Sequence, residues 1–289
     1  MTAAALKRAG DLARILRKEP KQSCGVLRNL TDSIRGFVYA AGWPRRPGEK
    51  DQEAIKVDNS AAARPNPLLE YFDAHQAGRG IVKWRHYFDI YHRHFSRFVG
   101  REVHIAEVGV FSGGSMDMWK TYFGPRCHVY GIDIEPACKS YEGERVKVFI
   151  GDQADRGFWK IFREQVPLLD ILIDDGGHLP EQQIVTLEEV LPHLRAGGIY
   201  LCEDVSWVHH RFAAFVAGLA GNLNAWNGEP GYTTGFQRQI HSIHQYPFVT
   251  VIEKCDRPMD RLIGERRGTV WQPFTPWSPP KTSATVSAE

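Results

Sequence analysis

The chain has 289 residues, 43% of them hydrophobic, which is enough for one sizeable packed domain with appendages. Its 36 basic and 34 acidic residues leave a formal charge of +2, so the overall charge gives no argument for a nucleic-acid partner. Five cysteines lie scattered without a CxxC pair, which predicts reduced thiols in a cytoplasmic protein and neither a disulfide framework nor a zinc finger. No apolar stretch is long enough to predict stable membrane insertion.

The two ends of the chain are predicted to lie outside the main domain. Residues 1–75 combine a weakly amphipathic basic helix with a charged, Ala- and Pro-containing linker, and together they form a basic N-terminal helical and linker extension. Residues 259–289 are rich in Pro, Ser and Thr and predict a surface tail. We therefore expect one main domain over residues 76–258.

Apolar runs of strand length alternate with helical periods through this domain. A helix with one aromatic face is predicted over residues 84–98, ahead of the first strand. The predicted strands are residues 103–110, 127–134, 146–150, 168–173, 198–202, 239–246 and 248–253, and the helices between them are 116–122, 156–165, 181–194 and 208–219. The last two strands meet at a tight Tyr246–Pro247 junction, which predicts an antiparallel hairpin at the end of an α/β sheet.

Acidic side chains and one histidine follow two of these strands. Asp174, Asp175 and, after two glycines, His178 follow the fourth strand, and Glu203 and Asp204 close the fifth. Open α/β sheets bind ligands at the carboxyl ends of their strands, so neighbouring strands would crowd these groups into one pocket. Such a cluster requires a metal ion or shared protons.

The first strand is followed by a glycine-rich turn into a helix. Glu107 lies near the end of the strand, Gly109 follows it, and Ser115 is predicted to cap the helix. The glycine spacing differs from the dinucleotide GxGxxG pattern, so a pyrophosphate cradle is weakly supported. A carboxylate here suits a cofactor with a cationic amine.

The next two strands also end in polar residues. Asp133 lies about 20 residues beyond the glycine turn, where an acidic side chain accepts hydrogen bonds from ribose hydroxyls. Asp152 and Gln153 follow the third strand and could read an adenine edge. Alternatively, Asp152 caps the following helix, and the sequence leaves both roles open.

Six motifs in this order resemble one enzyme family. Residues 80–255 resemble the S-adenosylmethionine-dependent sugar O-methyltransferases of macrolide tailoring, of the mycinamicin and macrocin type, and their cephalosporin-hydroxylase-type relatives. The motifs are Glu107-Val-Gly-Val-Phe-Ser-Gly-Gly-Ser115, Gly131-Ile-Asp133, Gly151-Asp-Gln153, Ile173-Asp-Asp-Gly-Gly-His178, Gly198-Ile-Tyr-Leu-Cys-Glu-Asp204, and Ser242-Ile-His244 with Val251-Ile-Glu-Lys254.

The resemblance implies a Rossmann-like class I methyltransferase fold, with a seven-stranded, mostly parallel sheet and a C-terminal antiparallel hairpin. It implies S-adenosylmethionine and Mg²⁺ as cofactors, and a sugar, glycosylated natural product or polysaccharide as the small-molecule glycosyl acceptor. The identity of the acceptor and the oligomeric state, a homo-oligomer included, stay open.

The resemblance also assigns roles to the site residues. It implies that Asp175, Glu203 and Asp204 hold Mg²⁺, and that His178 is the general base, although His178 could instead cap the following helix. Adjacent strand residues point to opposite faces, so Asp174 and Asp175 should not share one role. The implied cofactor-binding residues are Glu107, Gly109, Ser115, Asp133, Asp152, Gln153 and Asp174.

Two other functions remain open at this point. The hydroxylase-type relatives suggest an oxygenase-like tailoring activity, but the sequence shows no two-histidine, one-carboxylate iron triad. The chain could also be a non-catalytic partner with a methyltransferase fold in a biosynthetic complex. Such a partner would not need Asp175, His178, Glu203 and Asp204 together.

Overall fold

The structure is a computed structural model that describes residues 35, 38, 40, 65–205, 211–225, 231–265 and 267–269. All the elements below belong to the compact unit Arg64–Glu289. The predicted basic N-terminal helix, nearly all of the predicted linker and most of the predicted tail lie outside the described residues. The predicted domain boundaries therefore stay a prediction.

Seven strands form one sheet in the order β3-β2-β1-β4-β5-β7-β6. Strands β1 to β5 pair in parallel, and β7 runs antiparallel to both β5 and β6. This confirms the predicted mostly parallel sheet with a terminal hairpin. The strands are β1 (Val103–Val108), β2 (Cys127–Asp133), β3 (Val146–Ile150), β4 (Leu169–Asp174), β5 (Leu194–Cys202), β6 (Ile240–Tyr246) and β7 (Val249–Lys254).

Six α-helices flank or precede these strands in the described part of the chain. They are α1 (Pro67–Ala74), α2 (Tyr87–Phe95), α3 (Gly114–Phe123), α4 (Arg156–Gln165), α5 (Pro180–Val190) and α6 (Arg211–Leu223), with short 3₁₀ turns at Ser96–Phe98, Pro136–Tyr141 and Leu191–His193. Helix α1 was not predicted. The Asn66 side chain caps it by accepting hydrogen bonds from the N–H groups of Leu68 and Leu69, and Pro67 suits its first turn. None of the helices in these residues is long and apolar enough to cross a membrane.

The structure excludes the predicted helix cap at Ser115 and the capping alternatives for Asp152 and His178. Ser115 lies inside α3, whose N-cap is Gly113 with a left-handed φ of 77°. Asp152 does not cap α4, because Asp155 does so by accepting a hydrogen bond from the Gly157 N–H. His178 does not cap α5 either, since the N-cap position belongs to Leu179. All three side chains are therefore available for other contacts.

The sheet buries an apolar layer on each face. The α2 face packs against α1, α2 and α3, and the α5 face packs against α4, α5 and α6. Successive strand residues alternate between the faces, so Ile171 and Ile173 lie in the α2 layer and Leu172 lies in the α5 layer. The same alternation continues past β4 and sends Asp174 and Asp175 to opposite sides of the sheet.

Candidate active site

A cavity of about 400 Å³ opens at the carboxyl edge of the sheet, where the loops after β1 to β5 converge. Ligands of open α/β folds bind at this edge. The cavity is lined by Gly80, Ile81, Val82, Lys83, Val108, Gly109, Val110, Phe111, Ser112, Ser115, Ile132, Asp133, Ile134, Gly151, Asp152, Gln153, Asp175, Gly176, Gly177, His178, Gln182 and Asp204.

Three non-glycine residues of the lining have a left-handed backbone. Phe111, His178 and Asp204, with φ of 50°, 56° and 52°, lie just after β1, β4 and β5. Such conformations cost free energy and cluster at functional sites. At Asp204 the left-handed turn departs from strand alternation. The Asp204 carboxylate therefore reaches His178, which follows β4. The carboxylate of its neighbour Glu203 points instead toward the buried Lys83.

Asp175, His178 and Asp204 form a trio at the mouth of the cavity. Nε2 of His178 lies 4.0 Å from Oδ1 of Asp175 and 3.6 Å from Oδ2 of Asp204. One ligand atom from each residue lies within 4.8 Å of the others, a separation within reach of one metal ion. The His178 side chain is 42% exposed, so a substrate can approach the imidazole. The structure thus brings together three of the four predicted catalytic and metal-binding residues.

The second oxygen of Asp204 is held from helix α2 and the segment before it. Oδ1 accepts hydrogen bonds from the Tyr87 hydroxyl at 2.6 Å and the Trp84 indole N–H at 3.1 Å. Burial and the Asp204 carboxylate raise the pKa of Tyr87, so its hydroxyl remains a donor. The sequence analysis treated both aromatic residues as packing. Their position beside an acidic strand end becomes visible only in the fold.

Lys83 is a site residue that the sequence analysis missed. Its Nζ atom lies 2.5 Å from Oδ2 of Asp175, 3.0 Å from both Glu203 oxygens and 3.6 Å from Oε1 of Glu107. Burial alone lowers the pKa of Lys83, but these three carboxylates outweigh it and raise the pKa above the ordinary lysine value. The side chain therefore carries a buried ammonium group at the cavity wall.

Glu203 is buried and faces this ammonium from β5, on the α2 face. Its Oε1 also accepts a 2.6 Å hydrogen bond from the Tyr91 hydroxyl. Burial and the neighbouring Asp175 raise the pKa of Glu203, while Lys83 and Tyr91 oppose that rise. Of the predicted Mg²⁺ ligands, Asp175 and Asp204 share the trio. Glu203 lies outside the trio, and the Lys83 ammonium contacts both Glu203 and Asp175.

Glu107 lies beneath the cavity rather than in its lining. It is fully buried, and its Oε2 accepts a 2.6 Å hydrogen bond from the Ser115 hydroxyl. Burial raises the pKa of Glu107, and Lys83 and Ser115 oppose that rise. Gly109 does line the cavity, with φ of 90°, and a Cβ atom there would lie 2.0 Å from the Asp175 carbonyl oxygen. Only glycine fits this close approach.

Asp174 and Gln153 form a hydrogen-bonded support on the α5 face. Asp174 is fully buried and accepts hydrogen bonds from Gln153 Nε2 at 2.9 Å and the Tyr200 hydroxyl at 3.2 Å. Burial raises the pKa of Asp174 to about 6, although both hydrogen bonds oppose the rise. Gln153 also donates to Thr186 and accepts from the Gly177 N–H. Asp174 therefore lies behind the cavity, and Gln153 lines it with both polar ends of its amide already engaged.

Asp133 and Asp152 line the cavity at the ends of β2 and β3. Asp133 accepts backbone hydrogen bonds from Phe111 at 3.0 Å and Glu135 at 2.9 Å, which fixes its carboxylate. Asp152 accepts one from Ala154 at 2.8 Å. Both predicted cofactor-binding acids thus lie at the cavity, in turns that they help to stabilise.

Two groups of two histidines and one carboxylate exist in the described residues, contrary to the sequence analysis, and one of them is Glu102, His104 and His128. His94, His244 and Glu253 come together between α2 and the β6–β7 hairpin. None of them lines the cavity. His94 donates or accepts on both ring nitrogens, at 2.6 Å to Glu253 and 2.9 Å to the Tyr246 hydroxyl. The group anchors α2 to the hairpin, and it lies away from the site where an oxygenase would need it.

Similarity to known proteins agrees with this geometry, although no family model matches the chain. The chain is 30% identical over 195 residues to 8-demethyl-8-alpha-L-rhamnosyl tetracenomycin-C 2'-O-methyltransferase of Streptomyces olivaceus, covering 64% of this chain and 49% of that protein. It is 36% identical over 122 residues to demethylmacrocin O-methyltransferase of Streptomyces fradiae, covering 40% of this chain and 30% of that protein. The chain thus spans about half the length, or less, of these relatives.

Solved structures show the same fold. The MycE methyltransferase of the mycinamycin pathway, in complex with Mg, SAH and mycinamycin VI, has a TM-score of 0.54 and 27% identity over 66% of this chain and 54% of its own. This chain therefore has the class I methyltransferase fold. Within that class it is similar to the sugar O-methyltransferases of the tetracenomycin, macrocin and mycinamicin pathways, as its motifs predicted.

Proposed function

We propose that this protein is a Mg²⁺-dependent O-methyltransferase that moves a methyl group from S-adenosylmethionine to a hydroxyl of a glycosylated small molecule. The observation that carries this proposal is the trio of Asp175, His178 and Asp204 at the mouth of the cavity. The named activities of the relatives support the same reaction. We further propose that the acceptor is a glycosylated small molecule and that the protein does not act on nucleic acid.

The cavity suits the proposed methyl donor. Its volume of about 400 Å³ falls in the range of small-molecule pockets. Gly109 packs against the Asp175 carbonyl, and the glycines after β4 leave room for the Gln153 and Gln182 side chains, which shapes the cavity wall. The Asp133 carboxylate is held at the end of β2. We propose that Gly109, Ser115, Asp133, Asp152 and Gln153 contact the donor. Glu107 and Asp174 would support this wall from beneath.

The donor set also suits a hard divalent cation. Oδ1 of Asp175 and Oδ2 of Asp204 face each other across His178, and Mg²⁺ prefers such carboxylate oxygens. We propose Asp175, Glu203 and Asp204 as the residues that hold it. The Tyr87 and Trp84 hydrogen bonds leave Oδ2 of Asp204 directed toward the trio.

When bound, the cation would make the acceptor hydroxyl more acidic, and S-adenosylmethionine would supply the methyl group and leave as S-adenosylhomocysteine. His178 Nε2 accepts the hydroxyl proton, since it is exposed at the cavity mouth and lies beside both carboxylates. The left-handed backbone at His178 sets the direction of the imidazole.

A location in a reducing compartment such as the cytoplasm is part of the same proposal. The four cysteines within the described ranges are all free, and three of them are buried. Buried thiols of this kind need no disulfide partner for stability.

Calorimetry and a transfer assay test the proposal together. S-adenosylhomocysteine and MgCl₂ are titrated separately, and methyl transfer from labelled S-adenosylmethionine is then measured on glycosides, a free hexose and a polysaccharide. We expect both ligands to bind and transfer to require Mg²⁺. Failure to bind S-adenosylhomocysteine contradicts the methyltransferase function. Binding without transfer to any acceptor would instead favour the non-catalytic partner.

A further inference from the structure

We propose that Lys83 is a placeholder cation, which holds Asp175 and Glu203 together in the metal-free protein and moves to Glu107 when a divalent cation binds. The inference rests on the proposed Mg²⁺ dependence. It assigns a role to a residue outside the predicted ligand set and explains why a lysine lies inside a cluster proposed to hold a metal ion.

The first step is the position of the ammonium group. Nζ of Lys83 lies 2.5 Å from Asp175 and 3.0 Å from each Glu203 oxygen, and the Lys83 side chain is only 3% exposed. Two carboxylates brought this close in a dry environment repel unless a positive charge lies between them. Lys83 supplies that charge. A Mg²⁺ ion, which needs oxygens at about 2.0–2.1 Å, could not share the same point with it.

The second step is a place for the displaced ammonium. Oε1 of Glu107 is buried 3.6 Å from Nζ of Lys83 and has no hydrogen-bond partner among the described residues. Ser115 donates to the other oxygen, Oε2, and the buried Trp119 indole N–H interacts with the Glu107 carboxylate only outside ordinary hydrogen-bond geometry. An orphaned carboxylate oxygen is costly to bury. The ammonium already lies within ion-pair distance of Glu107, so it keeps this partner when it leaves Asp175 and Glu203.

Cation binding is then an exchange of partners. The divalent cation replaces the ammonium on Asp175 and Glu203, and the ammonium stays buried and paired with Glu107. The metal-free site keeps its shape because it never contains uncompensated carboxylates. The exchange has a measurable consequence, because Lys83 competes with the metal and holds its affinity down. Lys83 acts on the carboxylates and not on the reacting atoms, so it is a positioning residue.

A double-mutant cycle tests the exchange, with MgCl₂ titrated by calorimetry in the absence of any methyl donor. The forms compared are the wild type, Lys83→Met, Glu107→Gln and the double variant. We expect Lys83→Met to tighten Mg²⁺ binding at least about tenfold, because the competitor is gone. Glu107→Gln removes the second position of the ammonium and should weaken Mg²⁺ binding about threefold or more. In the Lys83→Met background, Glu107→Gln should have no effect.

Melting temperature gives a second readout that does not depend on turnover. Metal-free Lys83→Met should melt at a lower temperature than the wild type, and saturating Mg²⁺ should raise its melting temperature by more. Lys160→Met, at an exposed lysine of α4, is the matched control and should match the wild type in both measurements. If Lys83→Met does not fold, the double variant, in which Glu107 is neutral, is compared with Glu107→Gln and should bind Mg²⁺ more tightly.

The outcomes separate this inference from the function it rests on. Equal or weaker Mg²⁺ binding by the Lys83 variants, with the wild type binding normally, overturns the placeholder role alone. An equal effect of Glu107→Gln with and without Lys83 overturns the second position at Glu107. Absence of Mg²⁺ binding in every form overturns the proposed cation dependence, and the placeholder role with it.

Discussion

The two faces of the central sheet bury their carboxylates in different ways. On the α5 face, Asp174 receives hydrogen bonds only from neutral groups, the Gln153 amide and the Tyr200 hydroxyl. On the α2 face, Asp175 and Glu203 gather around the ammonium of Lys83. The two aspartates are adjacent in sequence, yet one is supported by neutral donors and the other by a full positive charge.

This difference assigns a structural role to Asp174 and a role in the proposed reaction to Asp175. Burial disfavours the ionised form of Asp174 by more than its neutral hydrogen-bond donors favour it, and the pKa of Asp174 is therefore raised to about 6. Asp175 faces a cation and has one oxygen directed toward His178 at the cavity. The α5 face therefore shapes the loop after β4. The α2 face presents charge for a cation and a proton acceptor.

The largest effect is expected from neutralising the charge on the α2 face. Asp175→Asn keeps the shape of the side chain but removes the negative charge that faces both Lys83 and the proposed cation. We expect Mg²⁺ affinity to fall about 100-fold or more, measured by calorimetry, with S-adenosylhomocysteine binding retained. Asp174→Asn is the matched change on the α5 face. If it lowered Mg²⁺ affinity equally, the distinction between the faces would be lost.

Removing the proposed proton acceptor should be nearly as severe. His178→Ala should lower the turnover number about 10²- to 10⁴-fold, the usual contribution of general base catalysis. S-adenosylhomocysteine and Mg²⁺ affinities should stay near the wild-type values, because His178 is exposed and supports no buried group. Wild-type turnover in this variant would show that another group takes the proton.

Asp174 should give the α5 face its own pH dependence. Its pKa is about 6 in the folded protein and 3.8 ordinarily, so the folded state holds the proton more tightly. The free energy of unfolding should therefore carry a contribution that is full below pH 4 and disappears as the pH rises through 6, worth up to about 3 kcal/mol. Urea unfolding between pH 4 and 7 should show a steeper fall in the wild type than in Asp174→Asn, in which only the other buried carboxyl groups, Glu107 and Glu203, contribute. Parallel curves would contradict the buried, protonated state.

The smallest effects come from removing one hydroxyl on each face. Tyr87→Phe loses the 2.6 Å hydrogen bond to Asp204 and should weaken Mg²⁺ binding about tenfold. Tyr200→Phe loses the 3.2 Å hydrogen bond to Asp174 and should cost about 1 kcal/mol of unfolding free energy, with Mg²⁺ binding unchanged. Calorimetry measures the Mg²⁺ affinity of both variants, and urea unfolding measures their free energies of unfolding. An equal change in Mg²⁺ affinity would contradict the division of roles.

Elements with a clear period were predicted closely, and irregular ones were not. The predicted bounds of β3 and α4 match the structure, because each has an unbroken pattern. Strand β5 begins at Leu194 instead of residue 198, since Gly197, with φ of 73°, resembles the end of a helix. Helix α1 was missed because its short sequence follows a region without a period. Local pattern determines regular elements, and a bulge or a short capped helix depends on its surroundings.

For the site, the sequence by itself determined the succession of strands along the chain and which carboxylates follow them. Strand alternation also separated Asp174 from Asp175, since adjacent side chains point to opposite faces. Only the tertiary structure decided that Lys83, 92 residues before Asp175, enters the acidic cluster, and that a left-handed backbone brings Asp204 to His178. The physical reason is that alternation is a property of one strand. The path of a distant segment across the sheet edge depends on the packing of the whole domain.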